Sequence, residues 1–340
     1  MTSGSYRWES MKSMPTKRVF ASPAVYNGQV YVLGGCDDKG IPLSNFEMYD
    51  PSTRKWTKLD DMPTKRAAPG VAVVDNKIVA FGGVAEDQMP LDVVEMYDND
   101  TKKWTSLSSL KEKLLGVSVV VKDKKILVIG GMAVDTNSRD NFCSFDVSKN
   151  QWKELPTMPT ARYASSSFLI GDKLYVIGGR QGKIPTAAFE VYNISTEKWE
   201  CLPDIPSKRV FSMYEATDKH IFSIGGLQQP ANKGFSDACE VFDLDKKVWK
   251  VGQSMPTKRG DFAIGIVGGK VICAGGLGNQ GKPLNTVECY DQENDTWTQI
   301  CDLPTLHCSC AYKTIDGCLH VIGGLSKQGP SGNMEAISFR

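Results

Sequence analysis

The chain has 340 residues, 41% of them hydrophobic and 23% charged, with a formal net charge of +1. That composition is ordinary for a folded globular protein, and the balanced charge excludes a global attraction to nucleic acid or to an anionic membrane surface. No apolar run approaches the roughly 18 residues that a membrane-crossing helix needs.

The start, Met-Thr-Ser-Gly-Ser-Tyr-Arg-Trp, has neither an apolar signal core nor a glycine at position 2 for myristoylation. Ten cysteines sit at several unrelated points of the sequence: Cys36, Cys143, Cys201, Cys239, Cys273, Cys289, Cys301, Cys308, Cys310 and Cys318. Without a secretion signal they read as reduced thiols, so a cytoplasmic location and no disulfide framework are expected.

In chain order the first element is a short strand over 5–10 that carries Trp8 before any glycine pair. Repeated units then follow at about 18–59, 66–107, 113–155, 162–202, 209–252, 259–300 and 307–340. Seven tryptophans mark them: Trp8, Trp56, Trp104, Trp152, Trp199, Trp249 and Trp297. Each is followed 26 residues later by a glycine pair: Gly34-Gly35, Gly82-Gly83, Gly130-Gly131, Gly178-Gly179, Gly225-Gly226, Gly275-Gly276 and Gly323-Gly324. A period near 48 residues carried by glycine pairs and aromatics is the mark of a repeat architecture.

The second unit shows the elements within one repeat. Val71 to Val74 is a short β-branched run, Asp75-Asn76 a turn signal, and Ile78 to Phe81 a second run that stops at Gly82-Gly83. After a polar loop, Val93 to Tyr97 forms a third strand, Asp98 to Thr101 turns the chain, and Lys103-Trp104-Thr105 starts a fourth. Four antiparallel strands per unit and no amphipathic helical period predict an all-β fold, a β-propeller of seven blades. The first strands are rich in small residues, as in Ala67-Ala68-Pro69-Gly70, which suits strands converging on a crowded axis. The glycine pair suits a sharp bend close to a neighbouring strand, and the tryptophan suits the wedge between blades. Three Asn-x-Ser/Thr sites, at Asn99, Asn193 and Asn294, share one point of the repeat, where turn chemistry accounts for them.

A glycine pair, a Glu-x-aromatic some 13 residues on and a tryptophan about seven further resemble the kelch motif. The Glu-x-aromatic recurs at Glu47/Tyr49, Glu95/Tyr97, Glu190/Tyr192, Glu240/Phe242 and Glu288/Tyr290. The third unit departs with Cys143 and Phe145, and the last has Glu335 with Ile337. The resemblance spans roughly 7–340 and is nearest to kelch-domain-only proteins of the kelch domain-containing protein 8 kind. It implies one propeller domain over 1–340. The strand over 5–10 would complete the last blade by pairing near 333–340 and so close the ring.

The linker into each unit is regular: Met-Pro-Thr-Lys-Arg at 14–18, 62–66 and 255–259, Met-Pro-Thr-Ala-Arg at 158–162 and Ile-Pro-Ser-Lys-Arg at 205–209. Ten residues after each tryptophan stand Arg18, Arg66, Leu114, Arg162, Arg209, Arg259 and His307. These side chains are expected to circle one mouth of the channel, on the face that also carries the loops after the glycine pairs. The residues just past the pairs are Cys36, Val84, Met132, Arg180, Leu227, Leu277 and Leu325.

Arg18, Arg66, Arg162, Arg180, Arg209, Arg259 and His307 are therefore the candidate partner-binding residues, suited to an acidic peptide with apolar anchors. In kelch substrate receptors, arginines at the equivalent place line a peptide pocket, which is what the resemblance implies here. The alternative is structural: arginines that bond carbonyls or the repeated glutamate.

No catalytic constellation stands out. Gly276-Leu277-Gly278-Asn279-Gln280-Gly281 fits G-x-G-x-x-G but no helix follows it. His307, Cys308, Cys310, Cys318 and His320 form the one metal-like cluster, read as buried small thiols. The expectation is a non-catalytic, monomeric interaction scaffold with a protein or peptide partner and no cofactor, metal, nucleic acid or membrane. The alternatives are a small-ligand or metal-dependent enzyme working at the channel mouth and a cytoskeleton-associated adaptor. The absence of a BTB or BACK region argues against docking a cullin as kelch receptors do.

Overall fold

The structure, a computed structural model, describes residues 4–340. Residues 1–3 of the expected domain lie outside the described residues. The fold is an all-β propeller built from seven four-stranded antiparallel sheets. The second blade runs Gly70–Val74, Lys77–Phe81, Val94–Asp98 and Lys103–Leu107, each strand paired with the next. The third runs Ser118–Lys122, Lys125–Ile129, Phe142–Asp146 and Gln151–Glu154. The other blades repeat this order.

The last blade takes its outer strand from the other end of the chain. Tyr6–Met11 pairs antiparallel with Met334–Phe339, in register from Tyr6 opposite Phe339 to Met11 opposite Met334. Outside this ladder, Ser5 N–H donates to Arg340 O at 2.7 Å and Arg340 N–H to Ser5 O at 3.1 Å. This is the closure expected from Trp8 standing ahead of the first glycine pair.

By Cα proximity the chain groups into two compact units. One holds residues up to Phe20 with Tyr49–Thr57 and Lys208–Arg340; the other holds Ala21–Met48 and Lys58–Ser207. Each has its own apolar cores, as around Phe81, Val128 and Phe145 in the second unit and around Ile272, Leu319 and Ile337 in the first.

Two repeated contacts tie successive blades within these units. The first is at the glycine pair. Gly34 has φ +60°, and a Cβ there would lie 2.2 Å from the carbonyl oxygen of Arg66, which opens the following repeat. The amide of the second glycine instead donates to that oxygen, as Gly35 N to Arg66 O at 3.1 Å and Gly276 N to His307 O at 2.7 Å. A side chain cannot enter a seam closed by backbone on backbone, which is why the pair is glycine.

The second contact is the tryptophan. The indole N–H of Trp104 donates to Asp60 O at 2.8 Å, that of Trp152 to Ser108 O at 2.9 Å, and that of Trp199 to Pro156 O at 2.7 Å. Each ring packs edge-on against an aromatic of the preceding blade, as Trp104 on Phe46 with centroids 5.1 Å apart and Trp199 on Phe142 at 5.3 Å. The wedge role expected of tryptophan is observed there, with a polar anchor added.

One detail differs from the sequence reading. The innermost strand starts four residues past the linker arginine, at Gly70 after Arg66 and at Ser166 after Arg162. The intervening residues do not continue a ladder because a left-handed residue interrupts it, Ala68 with φ 46° and Ala164 with φ 52°. The ten cysteines are all free thiols, and Asn99 is buried with its side chain bonded to the Tyr31 hydroxyl at 2.9 Å.

Deleting residues 1–12 removes one full outer strand and bares the edge of Met334–Phe339. The truncated protein is expected to lose at least about 5 °C of Tm, a drop of more than 1 kcal/mol at this chain length. A thermal unfolding curve identical to that of the full chain would contradict closure as a source of stability.

Candidate functional site

The linker Met-Pro-Thr-Lys-Arg is an extended segment whose side chains alternate. Met14, Met62, Met158 and Met255 are buried, the threonines are half-buried and the arginines are buried, while Pro63, Lys65, Pro256 and Lys258 face solvent. Alternation is what an extended backbone imposes.

The buried side of the linker meets the glutamate of the third strand. Arg66 Nη1 donates to Gly82 O at 3.0 Å and Val93 O at 2.9 Å, and Nη2 to Glu95 Oε2 at 2.5 Å. Thr64 Oγ1 donates to the other carboxylate oxygen at 2.5 Å. Arg162 repeats the set with Gly178 O at 3.2 Å, Ala188 O at 2.6 Å and Glu190 Oε2 at 2.7 Å, and Thr160 bonds Glu190. Arg209 bonds Gly225 O, Ser223 and Glu240, and Arg259 bonds Gly275 O at 2.8 Å and lies 3.0 Å from Glu288. Arg18 and Glu47 are buried likewise.

In the last blade a histidine does the same work. His307 places Nδ1 2.6 Å from Gly323 O and Nε2 2.5 Å from Glu335 Oε2, with Thr305 bonded to both His307 and Glu335. Both ring nitrogens face acceptors.

These facts correct the sequence expectation for the binding residues. Arg18, Arg66, Arg162, Arg209, Arg259 and His307 are only 0–4% exposed. Each turns its charged group inward, away from solvent. A buried cation needs a paired anion and acceptors for its N–H groups, and the repeated glutamate and carbonyls supply both. Burial pushes the Arg66 guanidinium down from its usual range, and Glu95 opposes that shift. Arg180 differs: it is half-buried, its guanidinium 5.7 Å over the Tyr163 ring, with backbone bonds to Tyr163 in both directions.

What does face solvent is the other edge of the same segment. Lys17, Lys65, Lys113, Lys208 and Lys258, each one residue before the ring position, are exposed. Two residues past the ring position every repeat carries a left-handed residue: Phe20, Ala68, Gly116, Ala164, Phe211, Asp261 and Ser309, with φ between 46° and 66°. Phe20 is 52% and Phe211 51% exposed. Within the unit that holds both, these positions link in sequence. Asp261 N donates to Phe211 O at 3.0 Å, Ser309 bonds the Asp261 carboxylate, and Phe20 N donates to Ser309 O at 3.3 Å.

The residue between ring position and left-handed residue bridges to the residue after a glycine pair, as Ala67 with Val84, Tyr163 with Arg180, and Cys308 with Leu325. The post-glycine loops thus stand beside the linker, as expected.

The same unit holds a cleft of about 590 Å³ between one linker and its loops. Lys258, Lys282 and Lys327 line it together with Leu284 and Leu306, and no carboxylate does. The sequence reading missed Lys258 because it followed the arginine of the Lys-Arg pair, and it weighed only the first residue after each glycine pair, which left out Lys282 and Lys327. The strict alternation of the linker was the available signal, since it sends neighbours to opposite sides.

The metal-like cluster does not assemble. Among the described residues no group of three or more His, Cys, Asp or Glu side chains could hold an ion. His307 is committed to Glu335, and burial raises the Cys308 thiol to about 11 and the Cys310 thiol further. No described helix is long and apolar enough to cross a membrane.

The KLHDC2/KLHL20/DRC7 Kelch-repeats domain matches residues 116–324, more than half of the chain, and the Attractin/LZTR1 beta-propeller matches residues 2–214. Kelch domain-containing protein 8B of Homo sapiens is 37% identical over 170 residues, which is 47% of this chain and 48% of that protein. The matched stretch thus spans about half the length of these curated relatives. F-box/kelch-repeat protein SKIP30 of Arabidopsis thaliana is 35% identical over 88 residues, 26% of this chain and 25% of that protein. Among solved structures, that of YjhT superposes with a TM-score of 0.68 at 17% identity, covering 85% of this chain and 99% of that one, a likeness of fold.

Two measurements test this site. Arg66→Met or Glu95→Leu alone leaves a buried charge unpaired and is expected to cost about 3–5 kcal/mol in urea unfolding. The double variant should cost clearly less than the sum; strict additivity would mean the two side chains do not act as a pair.

The second concerns pH. Burial pushes His320 below its ordinary 6.5. The unfolded chain therefore binds this proton more readily than the folded one, and stability falls as pH drops below 6.5 toward the folded value. His320→Gln should flatten that part of the Tm profile; an unchanged slope would rule the group out.

Proposed function

The chain belongs to the kelch-repeat β-propeller family, and from that premise we propose that it is a non-catalytic scaffold that binds an acidic segment of a protein partner. Proteins built on kelch propellers typically bind other proteins. The observation that carries the reading is the cleft at Lys258, Lys282 and Lys327, a concave site with three cations, two leucines and no carboxylate. Lysine heads attract carboxylates as mobile point charges, and the apolar stems and leucines accept an aliphatic side chain beside them. The exposed Phe20 and Phe211 of the same unit offer further apolar contact.

The binding role first expected of the arginines passes to their outward neighbours. In the unit that holds the cleft, Arg18, Arg209, Arg259 and His307 lie buried within their linkers. Residues 1–340 act in this reading as one domain, monomeric and cytoplasmic. Ten unpaired thiols fit a reducing compartment.

Selection of ten-residue peptides from a displayed random library tests the reading. Enrichment of Asp or Glu next to an apolar residue is expected, with affinity falling tenfold or more in the Lys258→Glu/Lys282→Glu protein. Selected peptides without acidic bias, or binding that survives the double reversal, would overturn it.

A further inference from the structure

The third blade departs from its fellows at two positions that sit far apart in sequence. Leu114 stands where the ring arginine stands in five repeats, and Cys143 where the glutamate stands. Spacing identifies the remaining parts of the missing set. Arg66 reaches Gly82 O, Val93 O and Glu95, which lie 16, 27 and 29 residues on; the same steps from Leu114 give Gly130, Asn141 and Cys143. One exchange has removed both partners of the ion pair, and with them the donor that occupies the first glycine's carbonyl elsewhere.

The exchange leaves room. Leu and Cys are smaller than Arg and Glu, and a cleft of about 740 Å³ opens over them. Leu110, Leu114, Val128 and Trp152 make its apolar wall, and Asn141 and Cys143 line it beside them. Asn141 Oδ1 is buried and finds no hydrogen-bond partner. Leu114 has no donor to offer Gly130 O, whose counterparts Gly82, Gly178, Gly225 and Gly275 each receive an arginine N–H. At the rim Glu112 pairs with Arg139 and Glu154 with Lys111, so both carboxylates are exposed and each is balanced by a cation.

The lining thus presents acceptors and an apolar channel, and its two carboxylates, Glu112 and Glu154, outnumber its one cation, Lys111. We propose that this cleft binds an arginine side chain of a protein partner, which restores from outside the guanidinium that the blade lacks. The aliphatic stem lies along Leu110, Leu114 and Trp152, and the guanidinium N–H groups donate to Gly130 O and Asn141 Oδ1. The planar fork of donors suits several fixed acceptors better than a compact ammonium does. The site is separate from the lysine-lined cleft and prefers the opposite charge, so the two can fail independently.

N-acetyl-arginine-N-methylamide serves as the probe, titrated against the full chain by chemical-shift mapping and calorimetry. Its citrulline analogue is a neutral isostere of the side chain, and its lysine analogue keeps the charge without the fork. Saturable binding of the arginine compound is expected, with the other two weaker by about tenfold or more. Leu114→Arg/Cys143→Glu rebuilds the pair found in the other blades and fills the cleft with the chain's own guanidinium. It should abolish binding and raise Tm. Asn141→Asp keeps the size and adds charge at the unpartnered oxygen, and should tighten binding at least fivefold. No saturable binding to the wild type would overturn the proposal. So would equal binding of the citrulline compound, or binding that persists in a folded Leu114→Arg/Cys143→Glu protein.

Discussion

The linker arginine couples two blades with one residue. Its backbone carbonyl accepts an N–H from the glycine pair of the blade before, and its side chain reaches the glutamate of the blade it opens. The first bond demands a position without Cβ, and the second demands a buried anion. Together they explain why the glycine pairs, the Glu-x-aromatic and the Met-Pro-Thr-Lys-Arg linker recur at one period. Each is the complement of another, so none can drift alone.

The fold was legible because its periodic residues are its contact residues. Trp8, alone ahead of Gly34-Gly35, announced that an N-terminal strand must join the last blade, and Tyr6–Met11 does so. The site was less legible. Sequence shows that an arginine recurs but not which way it points, and an exposed ring and a buried one have the same spacing. Burial is settled by what lies opposite, and spacing alone left the repeated glutamate as an alternative partner beside the open mouth. One clue joined them: the arginine series and the glutamate series lapse in the same repeat, at Leu114 and Cys143. The left-handed positions could not be read at all, since Phe20, Ala68, Ala164 and Phe211 carry no mark of a φ that usually favours glycine.

The consequence is a segment whose inward and outward side chains answer to different constraints. Thr64 and Arg66 fix the linker from within, while Lys65 faces solvent. A framework held by buried charge can change its outer residues at little cost to folding. That accounts for the mixed character of the post-glycine residues, from Cys36, which is buried, to Leu325, which is exposed.

The Leu114–Cys143 exchange also bears on how such chains diverge. A lineage that loses the carboxylate first holds a stranded guanidinium, and one that loses the guanidinium first holds a stranded carboxylate. Either intermediate sits in a fitness trough. Crossing it requires surplus stability elsewhere or near-simultaneous change. Exchanged blades should therefore be uncommon among descendants of one ancestor and, once established, slow to revert.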